Sequence, residues 1–475
     1  MKHVYQFATK EELDIIHEYT MKTLEEVGVK FCCEEALEIF RQHGFKTVGE
    51  TVYMTEKDVM KALETTPKQF DWYGRSGHIT VGDGSSICAP TYGPIFILED
   101  GNFHPVEKRD FLNFVKLAAT SPALDVSNPN LCDIGFMPQE VCSNWAQAAV
   151  MLHDTHPMIG MVDGKQSAID SIKMAQDFLG IKDKPVVAGL ISTSSPCHVS
   201  TAMCEALIEY SREGQIMFIS SSSMPGLTCP GSLGSLLMLN NAEVLSTIVL
   251  TQLINAGVPV IYGIQSHGCD LRYMTPCVGS PEQSLIFAAT KSLGNYYGLP
   301  VRTGGSSGDS KQVDMQAGAE SFSTAFNTIL SGADLVVHAC GGMDQDCSLS
   351  YDKFIYDEEI ILSCKRIMRG FEISEESMLF DCVKEAGPGG GFMNLSDDNL
   401  ADSFDYYREE TSVLNCATHM AHATWLDKGS QSVTDRTKAI YTRRLEEYRM
   451  PDVEKERFEV LAKYVPAELL KEFQK

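Results

Sequence analysis

The sequence predicts an α/β protein, a (β/α)8 TIM barrel with an N-terminal helical segment and a C-terminal helical extension. Three observations predict it. Short apolar runs recur along the middle of the chain, starting near Leu124, His156, Pro185, Gln215, Val258, Pro300 and Ala333, each followed by polar residues and then a helical pattern. The runs are continuous rather than alternating, as in Val186-Val187-Ala188-Gly189-Leu190-Ile191, which marks strands buried on both faces of a parallel sheet. The first unit has no dinucleotide glycine fingerprint, which favours a barrel over a doubly wound sheet.

The elements follow in order. Over residues 1–75, Leu13, Ile16, Thr20, Leu24 and Val27 fall at helical spacing and stop at Gly28. A second helix carries Ala36, Leu37 and Phe40 and ends at Gly44, and a third opens with the capping box Thr55-x-x-Asp58. From Phe70 to Phe103 short β segments alternate with Gly turns, and a helix follows over Glu107–Ala119. Seven strand units occupy the barrel region, 76–373, and an eighth strand is expected near Ile87–Tyr92. From residue 374 to 475 no strand rhythm remains, so this part is expected to be helical, acidic and packed on the barrel exterior.

Charge excludes whole classes of partner. With 39 Lys+Arg against 64 Asp+Glu the net charge is −25 and no polybasic run exists, which argues against nucleic acid and anionic membrane. The longest apolar stretch, Glu243 to Ile264, is interrupted by Gln252, Asn255, Gly257 and Pro259, too often for a membrane span. Fifteen scattered cysteines, an odd number, and an opening Met1-Lys2-His3-Val4-Tyr5-Gln6 that runs into a polar helix point to a reduced, cytoplasmic protein.

The motifs are mostly structural. Gly304-Gly305-Ser306-Ser307-Gly308 matches the nucleophile-elbow pattern, but no helix is expected at once after it, so it reads as a glycine-rich loop able to hold an anion, with Arg302 beside it. His153/His156, His338/Cys340 and His419/His422 are the only close metal-type pairs, and no C-x-x-C or H-E-x-x-H is present, so no metal is assigned. Gly387-Pro388-Gly389-Gly390-Gly391 lacks a P-loop Lys and reads as a connector. The predicted C-terminal strand ends carry a small, hydrogen-bonding lining: Asn128, Asn130, Asp163, Ser192–Ser195, Ser220–Ser223, Gln265, His267, Gly304–Ser307 and Gly341–Asp344. On a barrel that end builds the active site.

The stretch Gly332-Ala333-Asp334-Leu335 through Gly341-Gly342-Met343-Asp344 to Ser350-Tyr351-Asp352-Lys353-Phe354 resembles the trimethylamine methyltransferase superfamily, in its branch without pyrrolysine. Leu24-Glu25-Glu26-Val27-Gly28-Val29, Asp357-Glu358-Glu359-Ile360 and Gly387-Pro388-Gly389-Gly390 add to the likeness. After Gly391 the family usually continues with a His-containing pattern, where this chain has Phe392-Met393-Asn394-Leu395. The resemblance implies transfer of a methyl group from a quaternary amine to Co(I) of a corrinoid on a separate small protein. No D-x-H-x-x-G run is present, in keeping with a corrinoid held by that partner.

Glycine betaine, proline betaine, carnitine and γ-butyrobetaine are the expected substrates, because a quaternary ammonium leaves as a neutral tertiary amine. Asp344, His338 and Gln265 are then assigned to the reacting centre. Tyr92, Phe96, Phe136, Tyr273, Tyr351 and Phe354 are candidate aromatic faces for the cation, with His267 beside them and Glu358 or Asp344 favouring its charge. Arg302, Gly304, Gly305 and Ser306 are assigned to a carboxylate, and Ser221, Ser222, Gly341, Gly342 and Met343 to the surface meeting the corrinoid. Self-association is expected. Two other readings stay open: a metal-dependent barrel lyase or hydrolase using His267, His338 and an acid, and a catalytically silent binding partner.

Overall fold

The computed structural model describes residues 7–474, so the opening Met1–Gln6 lies outside the described residues. Seven strands form one parallel, curled sheet: β1 (Ile87–Cys88), β2 (Met158–Ile159), β3 (Val187–Ser192), β4 (Ile216–Ser220), β5 (Val260–Gly263), β6 (Val301–Gly304) and β7 (Leu335–Val337). Their spatial order is β1-β7-β6-β5-β4-β3-β2, with every neighbouring pair parallel. The two edges, β1 and β2, are thus consecutive in the chain. The Leu124 run is no strand, but residues 125–127 reach both edges. Asp125 and Val126 donate to the Cys88 carbonyl at 2.8 and 3.2 Å, and Ile159 donates to Ser127 at 2.9 Å.

Strand periodicity decides what faces inward. Ile87, Ala89, Ile159, Ala188, Ile216, Phe218, Ile261, Leu335 and Val337 form one buried cluster inside the curl, while Val187, Met217, Ile219, Val260, Tyr262 and Val336 join the larger core beneath the helices. The inner cluster is closed from below by the hairpin Phe70–Gly74/Gly77–Val81, which inserts Trp72 and Val81. It lies against the N-terminal strand ends, where Tyr73 donates to the Pro185 carbonyl at 3.0 Å. The helix Leu233–Ile254, long and apolar enough in composition to cross a bilayer, is largely buried in the core.

The N-terminal part carries the expected helices Lys10–Lys22, Glu34–Gln42 and Glu56–Thr65, the last with the Thr55/Asp58 capping box. It also holds three strands that helical spacing does not announce, Val29–Phe31, Lys46–Val48 and Thr51–Tyr53, joined in one sheet by His198–Val199 from the loop after β3. Cross-chain pairing overrides the local pattern there. Near the C-terminus Val433–Glu447 packs on Tyr351–Arg369 and on Lys108–Ala119, Lys455–Leu461 packs on Lys165–Leu179, and Phe473 stacks on Trp145 with ring centroids 5.4 Å apart.

Candidate active site

Arg302 is the centre of the candidate site. Ile261 faces the interior, so two residues on Gly263 does also. The register Gly263↔Arg302↔Leu335 then sets the Arg302 side chain inside the curl. Gly263 is required for this: a Cβ there would lie 2.1 Å from Arg302 Cδ. The guanidinium is fully buried, 5.9 Å from the Phe218 ring centroid. Nη1 donates to Ser220 Oγ and Nη2 to the Tyr92 hydroxyl, both at 2.8 Å, and Nε has no partner. Both partners are neutral. A buried cation held only by hydroxyls is costly unless an anion arrives.

Other buried polar groups beside it are equally unmatched. Gln265 has no partner for either amide atom, and the Ser306 hydroxyl has none. A Cβ on Gly304 would meet Gln265 Nε2 at 2.7 Å, and one on Gly305 would meet Ala339 Cα at 2.7 Å, so this loop needs glycine to lie so close to its neighbours. The Tyr92 ring packs on His338 with centroids 4.0 Å apart. His338 Nδ1 is 3.7 Å from Asp346 Oδ2 and makes no hydrogen bond. Burial, then Arg302 and His267, hold His338 well below the ordinary histidine range, which keeps it neutral. Burial lowers His267 as well, against the pull of its 3.1 Å contact with Gln283.

Asp346 closes the far side. Its Oδ2 accepts from Ser307 at 3.2 Å, its Oδ1 has no partner, and burial raises its pKa. It ends a run of three left-handed residues, Asp344, Gln345 and Asp346, with φ of 51°, 61° and 62°, and His338 is left-handed too at 53°. Non-glycine residues in this region cost roughly 1–3 kcal/mol each and gather where function holds them. This end of the sheet thus gathers a guanidinium without an anion, a carboxylate, two imidazoles kept from protonating, and the Lys353 ammonium, which donates to the Ser306 carbonyl at 2.7 Å and pairs with Asp357 at 2.6 Å.

A profile of the family described as trimethylamine methyltransferase (MTTB) matches residues 2–468. The chain belongs to this family. It is 35% identical over 459 residues to the glycine betaine methyltransferase of Desulfitobacterium hafniense (strain Y51), covering 95% of each chain. It is 33% identical to the proline betaine:corrinoid methyltransferase of Eubacterium limosum, covering 97% of each. Its fold is like that of the monomethylamine methyltransferase (MtmB) of Methanosarcina barkeri, with a TM-score of 0.56 at 12% identity over 95% of this chain and 90% of that one.

In this MTTB-family chain the residues singled out from the sequence separate into two groups. Arg302, Tyr92, Gln265, His338, His267, Gly304, Gly305 and Ser306 come together at the C-terminal strand ends. Two acids do not. Asp344 pairs with Lys311 at 3.0 Å and Glu358 with Arg444 at 2.6 Å, so both charges are already answered elsewhere. Five aromatics are also placed apart. Phe96 is exposed on an outer strand, Tyr273 is exposed in a hairpin turn, and Phe136 packs on Phe111 and Trp145. Tyr351 stacks on Phe114 at 4.4 Å and donates to Asp110 at 2.9 Å, and Phe354 packs on the same Phe114. Tyr351 and Phe354, three residues apart on one helix, lie in the packing between helices because that spacing is that of a core face.

The serines and glycines expected to meet a cofactor are tied down. Glu243 accepts from Thr193 at 2.7 Å, Ser195 at 3.0 Å, Ser221 at 2.6 Å and the Cys197 amide at 2.8 Å, binding the loops after β3 and β4 to one helix. Ser222 donates to the Gln265 carbonyl at 3.0 Å. Gly341 donates to Asp357 at 2.8 Å, while Gly342 and Met343 pair with Ser348–Ser350. No helix follows Gly304–Gly308 until Met315, so the elbow geometry is absent.

Three contributors were not singled out from the sequence. Phe218 reads only as strand core. Glu243 did carry a signal, as the one charge in an apolar helix. Asp346 carried none: both acids sit in the left-handed run, and only their partners, Lys311 for Asp344 and Ser307 for Asp346, tell them apart. Among the described residues, three metal-type ligand atoms converge within 4.8 Å only at Glu99, His104 and Asp110, where Arg109 already contacts both carboxylates.

Proposed function

We propose that this protein demethylates a small quaternary amine bearing a carboxylate and passes the methyl group to a corrinoid held on a separate protein. The observation that carries this reading is Arg302, a buried guanidinium with hydroxyl partners alone and an unsatisfied Nε. A substrate carboxylate would supply the missing anion, assisted by Ser306 and the Gln265 amide. The quaternary ammonium would then sit toward Asp346 and the Tyr92 ring, each such cation–π contact contributing about 0.5–2 kcal/mol when desolvated. A zwitterion thus meets opposite charge at both ends of the site.

The chemistry asks little covalent work of the chain. A quaternary ammonium departs as a neutral amine, whereas neutral trimethylamine would have to expel an amide anion, and this sequence holds only standard residues. The reduced corrinoid of the partner supplies the nucleophile. The chain's own residues orient the substrate methyl, exclude water and keep His338 and His267 neutral, while Asp357 answers the charge of Lys353 beside Ser306. Asp346 stabilises the ammonium before transfer, so it acts in binding and alignment rather than by lowering the barrier through charge. The same reading takes residues 125–127 as the eighth stave of a closed barrel whose open end receives the corrinoid carrier.

The test uses the purified chain. Glycine betaine, proline betaine, carnitine or γ-butyrobetaine raises its melting temperature, a ligand at 100 times Kd adding about 2.7 kcal/mol, while tetramethylammonium, which lacks a carboxylate, does so far less. With a reduced corrinoid protein the same amine is demethylated as the corrinoid spectrum changes. Absence of both responses for every carboxylate-bearing quaternary amine overturns the proposal.

A further inference from the structure

Lys353 stands where a helix least welcomes a cation. It is the third residue of the helix Tyr351–Arg369, at the end that carries the positive pole of the macrodipole, and its side chain is 2% exposed. Its partner Asp357, 2.6 Å away and fully buried, lies four residues later, the order that supports a helix less than the reverse. A buried pair of this kind is often no more stabilising than apolar residues of similar volume. Helix stability does not account for it.

Its contacts do. Lys353 Nζ donates to the Ser306 carbonyl at 2.7 Å, and Asp357 Oδ2 accepts from the Gly341 N–H at 2.8 Å. One pair thus ties the helix to the loop after β6 and to the loop after β7. The tied peptide lies between two residues with different tasks. On one side Ser306 carries a buried hydroxyl without a partner; on the other Ser307 donates to Asp346 Oδ2 at 3.2 Å. A trans peptide is planar, so fixing its carbonyl fixes the Cα atoms of both residues. Hydroxyls hold the flanking carbonyls, Thr328 that of Gly304 at 2.7 Å and Thr324 that of Ser307 at 3.4 Å, and Ser321 reaches Ser306 at 3.5 Å. Of these donors Lys353 is the charged one, which makes the stronger bond.

Taking a carboxylate-bearing quaternary amine as the substrate, we infer that Lys353 is a positioning residue: through the Ser306 carbonyl it sets Ser306 against the substrate carboxylate and Ser307, with Asp346, toward the ammonium. Asp357 holds Lys353 and carries the same register to Gly341. Two double variants separate this role from support of the fold. The apolar pair, Lys353→Met/Asp357→Leu, removes both charges and both ties. The amide pair, Lys353→Gln/Asp357→Asn, removes the same charges, so the pull of Lys353 on Asp346 is lost equally, but it keeps a donor for Ser306 and an acceptor for Gly341.

Calorimetry with glycine betaine, proline betaine, carnitine and γ-butyrobetaine, and turnover with a reduced corrinoid protein, read the result. The apolar pair is expected to weaken binding about tenfold or more, the size of one lost hydrogen bond to a charged group, and to raise KM more than it lowers kcat. It should melt no lower than the amide pair. The amide pair is expected to bind within about threefold of the unaltered chain. Equal affinities in the two pairs overturn the inference, as does a loss that simply follows melting temperature. Hydrogen exchange of the unaltered protein needs no variant to fold: a bound amine should slow exchange over 340–343, where Gly341 is bonded to Asp357, and unchanged exchange there also overturns it. If none of these amines binds the unaltered chain, the substrate reading fails and takes this inference with it. If Arg302→Met abolishes binding while the apolar pair binds like the unaltered chain, this inference alone fails.

Discussion

The two ends of the central sheet use similar polar residues in opposite ways. At the N-terminal end Lys291 meets Asp334 at 2.6 Å, and Asp334 also accepts the Val301 amide at 2.8 Å. Lys365 meets Asp125 at 3.0 Å, and Trp72 fills the space between the strands. At the C-terminal end Arg302 has hydroxyls for partners, Gln265 and Ser306 have none, and Asp346 is held on a strained backbone. Apart from the Trp72 indole N–H, which has no partner, the first end pairs its charges with one another, while the second leaves a guanidinium without an anion and holds an acid on strained backbone.

Arg302→Met should produce the largest change. Affinity for carboxylate-bearing quaternary amines falls by 100-fold or more, consistent with about 2–5 kcal/mol for truncating one side of a buried charge pair. The melting temperature holds or rises, since an unpaired buried charge is gone. Calorimetry and thermal denaturation read the two effects separately, and a large loss of stability would erase the contrast between the ends. Lys291→Met should do the reverse, destabilising by about 3 kcal/mol by orphaning Asp334 while ligand affinity stays within about twofold.

His153 gives a pH-dependent contrast away from the site. Burial, with Lys116 nearby, lowers it to about 4 while its Nδ1 contacts the Tyr448 hydroxyl at 3.0 Å. The unfolded chain takes up a proton from about pH 6.5 downward and the folded chain only near pH 4, so stability is lost as pH falls through that window, by about 2 kcal/mol at pH 5. His153→Gln should flatten the dependence of melting temperature on pH between 6.5 and 4.5; an unchanged slope would discount this histidine. The smallest effect expected concerns the two neighbouring acids. Asp346→Asn lowers kcat/KM about tenfold, or ~1.4 kcal/mol, with the carboxylate contact intact, whereas Asp344→Asn changes it less than twofold, because Asp344 answers only Lys311 at the rim. Equal effects would deny Asp346 its separate role.

Much of this was legible beforehand for a simple reason. Strand and helix faces repeat over two or 3.6 residues, so Val187–Ser192, Ile216–Ser220, Val260–Gly263 and Leu335–Val337 announce themselves in their own few residues, as does the Thr55/Asp58 cap. The aromatics were harder, since Tyr351 and Phe354 look alike in sequence whether they line a cavity or pack on Phe114.

The chain's own order determined the alternation of strands and helices, the acidic surface and the placing of Arg302 on an inner strand. Only the tertiary structure decided which charges stay unanswered. Lys311 reaches Asp344, Arg444 reaches Glu358, and Tyr92 and Ser220 leave Arg302 without an anion. Local patterning sets the direction of a side chain, but its charge balance is set by residues distant in the chain, 82 and 210 positions away for the two partners of Arg302, that folding brings within a few ångströms.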